Sequence, residues 1–357
     1  MRASKSGTSV SAGHGAGRRR LATLGAALLL TTSFVGSAAG AERILKFAPT
    51  VPEGNPTVKF AWQPWIDQVN KEAKGEFQIK VFGMALANSR NVWERTVNGV
   101  TDIGFALNGT AGLSFDKTQV TTLPLLVKDG EAGASSVALW RLYEQGLLKD
   151  EYRNVRLIGL ISLPVQGLAV KKPIADLSGV KGLKIRAADR LSGNIASALG
   201  GSPISLSATE VYQALSRGVV EAAIANWIMM GAFRLTEVST HYVTGVPLGS
   251  PPAFVIMNLR SYASLSAKGK QIIDKYSGAV LSGQAGSALE RLAHGARARI
   301  LKAGKYKVTQ LNDAQAKAWT QALDGVVEKW AKETANGQKV LDQYRIELKK
   351  AIAGKKP

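Results

Sequence analysis

The 357 residues are 45% apolar and 20% charged, proportions of a folded globular chain that exclude a disordered or low-complexity protein. The length is too great for one ordinary core and suits two lobes with a cleft between them. With 46 basic against 26 acidic residues the formal charge is +20, and the lack of cysteine excludes disulfides, thiolate metal sites and cysteine nucleophiles.

The chain begins with a basic, Gly/Ser-rich stretch ending in Arg18-Arg19-Arg20. An apolar run from Leu21 to Val35 and small residues Gly36 to Ala41 follow. This succession predicts a signal peptide over residues 1–41, with Ala39-Gly40-Ala41 as the cleavage pattern and a mature start near Glu42. The run holds Thr31, Thr32 and Ser33 and falls short of the roughly 20 residues that cross a bilayer. The adjacent arginines suit either a twin-arginine or a general secretory signal. No later apolar segment approaches membrane-spanning length, so a soluble exported chain is expected. The leader carries five basic residues and no acid, which leaves 41 basic against 26 acidic residues, a net +15. In an exported protein that charge either attracts anionic solutes or an anionic membrane surface, or is a solvated basic surface; nucleic acid is a poor match.

Ile44 to Ala48 reads as a first strand, broken off by Pro49, Pro52, Gly54 and Pro56. Ala61, Trp65, Val69 and Ala73 recur every four residues, the stripe of a helix on a sheet, with Pro64 in its first turn or at a kink. The Trp62/Trp65 pair is assigned to this packing. Phe77 to Phe82 is the next strand. A helix over Val92, Thr96 and Val97 stops at Asn98-Gly99, and a strand runs from Ile103 to Ala106. This β-α-β-α-β order argues for a parallel sheet covered by helices. Further strands are expected at Val155 to Gly159, Gly167 to Val170 and Leu183 to Ala187. Ser207 and Glu210 form a capping box for a helix to Arg217. Phe254 to Met257 is an apolar strand. The remainder reads as mainly helical with a strand near Tyr306 to Val308, and the basic tail from Lys339 as a solvated helical end.

An internal echo joins the two halves. Val92-Trp93, Gly99-Val100, Asp102 and Ala106 are matched 119 positions later by Val211-Tyr212, Gly218-Val219, Glu221 and Ala225. The match is either chance between two common helix-strand joints or one unit present in each lobe. The second reading sets the strand ends Leu107-Asn108 and Asn226-Trp227 opposite each other, where open α/β sheets bind ligands.

Catalytic signatures are sparse. Beyond the leader only His241 and His294 remain, without paired metal-ligand spacing, so no metal or cofactor is expected. No nucleophile-elbow, phosphate-loop or calcium-loop pattern occurs, which argues against an enzyme. Arg186 stands out in the apolar setting Lys184-Ile185-Arg186-Ala187-Ala188, because a guanidinium there needs an acceptor. Its fork matches either a ligand carboxylate or an Asp or Glu of the same lobe.

Several segments resemble one family, the solute-binding proteins of tripartite ATP-independent periplasmic (TRAP) transporters, of the C4-dicarboxylate-binding type. They are Leu45-Lys46-Phe47-Ala48, Val97-Asn98-Gly99-Val100-Thr101-Asp102-Ile103-Gly104, Leu123-Pro124-Leu125-Leu126, Asp176-Leu177-Ser178-Gly179 with Gly182-Leu183-Lys184-Ile185-Arg186, Leu199-Gly200-Gly201-Ser202-Pro203, Glu210-Val211-Tyr212-Gln213-Ala214-Leu215 and Met257-Asn258. The resemblance covers nearly the whole chain after the leader. It implies an α/β, two-lobed periplasmic binding protein fold with crossing strands, a long connecting helix and a ligand cleft between the lobes. Lobe I would comprise 42–163 plus about 251–290, and lobe II 164–250 plus about 291–357. The family's carboxylate-clamping arginine falls on Arg186. A second arginine of some members corresponds to Gln166, the aromatic position after Gly-x-Pro to Ala208, and the usual Asp-Gly to Glu221-Ala222. The polar contact at the end of that strand falls on Ala225, beside Asn226 and Trp227. These departures imply a ligand with one obligatory carboxylate and a less charged, bulkier remainder. Asn108 and Asn226 could bond a hydroxyl or keto oxygen, Trp227 could form an apolar wall, and Thr50 occupies the family's polar position after the first strand. The implied role is delivery of a small organic acid in the periplasm to a membrane permease, with dicarboxylate transport the family's default. A sensor feeding a receptor kinase and a periplasmic enzyme are the alternatives.

Overall fold

The computed structural model describes residues 42–354; the expected signal peptide over residues 1–41 lies outside them. The first half runs β1 (Arg43–Ala48), a π-helical turn Val58–Trp62 continuing into α1 (Gln63–Glu72), β2 (Phe77–Val81), α2 (Val92–Val97), β3 (Ile103–Leu107), α3 (Ala132–Glu144) and β4 (Arg156–Ser162). Then come β5 (Gly167–Val170), β6 (Lys184–Ala187), α4 (Arg190–Ala198), β7 (Ser202–Ser205), α5 (Val211–Arg217), β8 (Ala222–Ala225), α6 (Trp227–Ala232) and β9 (His241–Thr244). The chain closes with β10 (Pro252–Met257), α7 (Leu259–Ala263), α8 (Ala267–Lys275), α9 (Ala279–Lys302), β11 (Lys307–Gln310), α10 (Asp313–Glu333) and α11 (Gly337–Ala353). No helix of the described residues is long and apolar enough to cross a membrane.

Local chemistry explains the boundaries. Pro64 sits in the first turn of α1, directly after the π-helical turn, and Trp65, Ile66 and Val69 turn inward. Ser207 and Glu210 close the expected capping box, although its first turn is a 3₁₀ segment, Ala208–Glu210, that leads into α5. Gly218 ends α5 at φ 74°, a conformation that glycine adopts without steric cost.

The strands form two sheets, ordered β2-β1-β3-β10-β4 and β11-β9-β5-β8-β6-β7. β1, β2 and β3 are parallel as expected, but both sheets are mixed, because β10 lies antiparallel to β3 and β4, and β5 antiparallel to β8 and β9. Read from β2 and from β7, the two orders coincide: β1 corresponds to β6, β3 to β8, β10 to β5 and β4 to β9. The sequence echo is therefore a repeat in space. Asp102 N–H donates to the Lys46 carbonyl at 3.0 Å and Glu221 N–H to the Lys184 carbonyl at 2.8 Å. Each carboxylate in turn accepts the backbone N–H of that same lysine, at 2.8 and 3.3 Å.

The chain passes between sheets at 163–166, from β4 to β5, and at 245–251, from β9 to β10. These crossings pair with each other: Leu163 N–H donates to Pro251 O and Gln166 N–H to Gly249 O, each at 2.9 Å, and Leu248 N–H to Gln166 O at 3.0 Å. α9 is the third connection, packed on α3 and β4 at one end and on α6 at the other. The basic tail is no solvated end. α11 buries Val340, Leu341, Tyr344 and Leu348 and packs on α3, where Tyr344 Oη and Ser135 Oγ bond at 2.7 Å. An apolar stripe at helical spacing explains this, since it gains more by burial than the lysines lose. Residues 337–353 thus pack on α3 and also on α10.

Candidate functional site

Arg186 lies in β6 between β7 and β8, paired with Ile204 and Ala223, and is 3% exposed. Its guanidinium is held by backbone at the C-terminal edge of the sheet: Nε donates to Leu206 O at 2.9 Å and Nη1 to Ile224 O at 3.3 Å. Nη1 also stands 3.8 Å from Met229 Sδ, while Nη2 has no hydrogen-bond partner among the described residues. No carboxylate of the described residues forms an ion pair with it. Burial pulls its pKa down to about 10, which the charges of Asp189 and Glu210 offset only in part. The group is therefore a cation at neutral pH, nearly dry and without a counter-ion, an arrangement that is costly unless an anion joins it.

Other expected residues gather around the end of β8. Gln166 lies in the first crossing, 7% exposed, and its Oε1 is buried with no partner. Asn226 caps α6, its Oδ1 accepting Met229 N–H at 3.0 Å while Nδ2 reaches Pro164 O at 3.5 Å. Both ends of that amide are committed, so its observed role is to join α6 to the crossing. Trp227 is 7% exposed and stacks on Tyr242 with ring centroids 4.2 Å apart. Tyr242 Oη donates to Ala225 O at 2.7 Å and accepts Gly167 N–H at 2.7 Å, which fixes the floor beneath the indole.

Asn108 occupies the equivalent place at the end of β3. It is fully buried, Nδ2 donates to Tyr152 Oη at 2.7 Å, and Oδ1 has no partner. The following residue brings the sheets' ends together: a Cβ on Gly109 would lie 2.5 Å from Asp189 Oδ2. Two exposed ion pairs span the same gap, Arg190 to Asp116 at 3.6 Å and Arg90 to Glu210 at 3.7 Å. Thr50 is not tied to this cluster by any hydrogen bond among the described residues. It adopts φ 55°, rare for a β-branched residue and a mark of local strain just after β1.

Sequence reasoning missed three buried hydroxyls, Thr121, Thr122 and Ser162, whose Oγ atoms have no donor or acceptor assigned. Thr121 O accepts Ser250 N–H at 2.9 Å and Ser162 ends β4, so all three flank the crossings. The available signal was the polar run Thr121-Thr122 entering Leu123-Pro124. Orphaned buried acceptors and donors at the crossings and strand ends describe a polar receptor surface.

Two matched sheets, double crossing strands, a long connecting helix and a dry cation at a strand end define a two-lobed solute receptor. The chain belongs to the bacterial extracellular solute-binding proteins of family 7, the TRAP receptors, whose model matches residues 47–334. That family comprises binding proteins, not enzymes. A solute-binding protein of Albidiferax ferrireducens is 27% identical over 182 residues, 50% of this chain and 53% of that one, so the match spans about half of that relative. A marine-metagenome TRAP solute-binding protein specific for aromatic acid ligands, in complex with metahydroxyphenylacetate, shares the fold at TM-score 0.81, with 24% identity over 87% of this chain and 99% of that one. A TRAP periplasmic solute-binding protein from Bordetella bronchiseptica with bound (R)- and (S)-mandelate matches at TM-score 0.79 and 26% identity, over 86% and 99%.

Proposed function

We propose that this chain is the periplasmic receptor of a TRAP transporter and binds a small organic acid with one carboxylate and an apolar, aromatic-sized remainder. It closes 42–163 and about 251–290 onto 164–250 with about 291–357, and hands the acid to the membrane permease. Residues 1–41 serve as the cleaved export signal. The observation that carries the reading is Arg186, a buried cation with no protein counter-ion and Nη2 unbonded. A carboxylate supplies the missing charge and accepts a charge-assisted hydrogen bond from Nη2. Gln166, with an unpaired Oε1, stands where some members carry a second arginine, which favours one carboxylate over two. Trp227 and Met229 offer apolar surface beside it. The mandelate complex of the Bordetella bronchiseptica relative supports the same ligand class. Asn108 and Gln166, through their free oxygens, accept hydroxyl protons on the ligand, and Thr50 supplies a polar contact after β1.

Calorimetry of the purified chain against benzoate, 3-hydroxyphenylacetate, mandelate, mandelamide, succinate and malate tests this. An aromatic monoacid should bind at least about tenfold tighter than either diacid, and the amide should bind poorly. Arg186→Ala should lower affinity by about 30-fold or more, the cost of leaving a desolvated carboxylate unpaired. A preference for succinate or malate would overturn the ligand class, and an Arg186→Ala affinity within about threefold of wild type would overturn the clamp.

A further inference from the structure

A second polar cluster lies where the loop before α3 meets α9, with Arg297 bridging it to the Trp227 ring at 5.9 Å. Asp129 comes from that loop, and Glu290 and His294 are one turn apart on α9. Glu290 is only 6% exposed. Its Oε2 accepts the Ala132 N–H at 3.0 Å and so holds the first turn of α3, but Oε1 is buried with no hydrogen bond. His294 Nε2 is 3.3 Å from that oxygen and 3.1 Å from Asp129 Oδ1, to which its hydrogen bond is directed. One imidazole nitrogen thus faces two carboxylates and satisfies one.

We infer that Asp129, Glu290 and His294 form a binding site for a divalent transition cation of the zinc type. Donor atoms that share a tetrahedral zinc at about 2.0–2.1 Å stand about 3.3 Å apart. The Nε2 to Oδ1 and Nε2 to Oε1 separations of 3.1 and 3.3 Å already match that edge, and all three donors lie within 4.8 Å of one another. One nitrogen and two carboxylate oxygens leave a fourth position for water, and the cluster borders an open groove of about 350 Å³ lined by Asp129, His294, Arg297, Ala298 and Leu301. Arg297 Nη1, 3.9 Å from Asp129 Oδ2, supplies positive charge there and limits the site to cations that bond strongly to the imidazole, which disfavours magnesium and calcium. A bound ion would pin the loop at Asp129 to α9, the helix that runs past both sheets.

The chain offers a clean test, since it has no cysteine and only His241 and His294 among the described residues. Protein taken from the periplasm without an affinity tag and stripped with chelator is titrated with zinc chloride by calorimetry. The expected result is one zinc per chain, with His294→Gln and Asp129→Asn each weakening binding by about 30-fold or more and His241→Gln leaving it unchanged. Both altered side chains are about half exposed, so the variants should keep the wild-type circular dichroism. No one-to-one binding by wild type up to about 1 mM zinc, or binding that survives His294→Gln or is lost in His241→Gln, overturns the site. Because the readout is zinc itself, its failure leaves the organic-acid reading untouched.

Discussion

Arg186 carries an electrostatic cost that its own fold leaves unmet. Holding a guanidinium at a pKa of about 10 disfavours its charged form by on the order of 3 kcal/mol. The sign follows from linkage: the ligand-free fold bears this penalty at neutral pH and is relieved of it as pH rises through about 10. A bound carboxylate acts in the other direction by stabilising the cation. Affinity for the acid should therefore be flat from pH 7 to 9 and fall about fourfold by pH 10.5, as the free receptor loses its charge. Calorimetry across that range checks it, and a flat profile to pH 10.5 would show that the guanidinium keeps its charge throughout. Arg186→Lys should recover only part of the affinity lost in Arg186→Ala, because an ammonium lacks the planar fork.

At the scale of elements, the crossings and the strand ends separate stability from closure. Gly249 sits in the second crossing at φ 97°, and a Cβ there would lie 2.1 Å from Thr122 O, a backbone atom that cannot step aside. Gly249→Ala should cost about 2 kcal/mol or more in urea unfolding. Gly109 is different. Its backbone is unstrained, and the obstacle to a Cβ is the side chain of Asp189 across the gap. Gly109→Ala should leave unfolding of the ligand-free protein within about 0.5 kcal/mol of wild type while weakening ligand binding by about tenfold, since only the arrangement with the sheets' ends in contact suffers. Gly54→Ala, in open space, should change neither. Equal affinities for wild type and Gly109→Ala would show that binding does not bring these ends together.

For the whole molecule, a net +15 beyond the leader makes long-range attraction of an anionic solute the natural kinetic role of the surface charge. The association rate with the preferred acid should fall several-fold between about 20 mM and 500 mM salt, while the dissociation rate, set by the buried contacts, stays nearly constant. Stopped-flow measurement at both ionic strengths checks it. A salt-independent association rate would reduce the basic surface to a solubility device.

Short-range chemistry was legible in the linear sequence. The Pro64 helix start, the Ser207/Glu210 box and the Gly99 and Gly218 stops depend on residues a few positions apart, and the Val92 to Ala106 echo, read 119 positions on, proved to be a repeated Asp102/Lys46 and Glu221/Lys184 joint. Arg186 was legible for the same reason, as a charge among apolar neighbours. What the sequence left open was whether a carboxylate of its own lobe paired with it, because that depends on which residues 20 to 40 positions away end nearby. The tertiary structure brought Leu206 O and Ile224 O there instead of an acid. It also committed Asn226 to a helix cap, brought the buried hydroxyls of Thr121, Thr122 and Ser162 to the crossings, and turned the Lys339 tail inward on α3. The antiparallel entry of β5 and β10 into otherwise parallel sheets was hidden likewise, since strand direction is set by where a crossing returns and not by the residues within the strand. The Asp129, Glu290 and His294 cluster shows the same division. Glu290 and His294 share a helix face at a spacing visible in the sequence, but their partner is about 160 residues away, and only the packing of α3 on α9 places its carboxylate beside them.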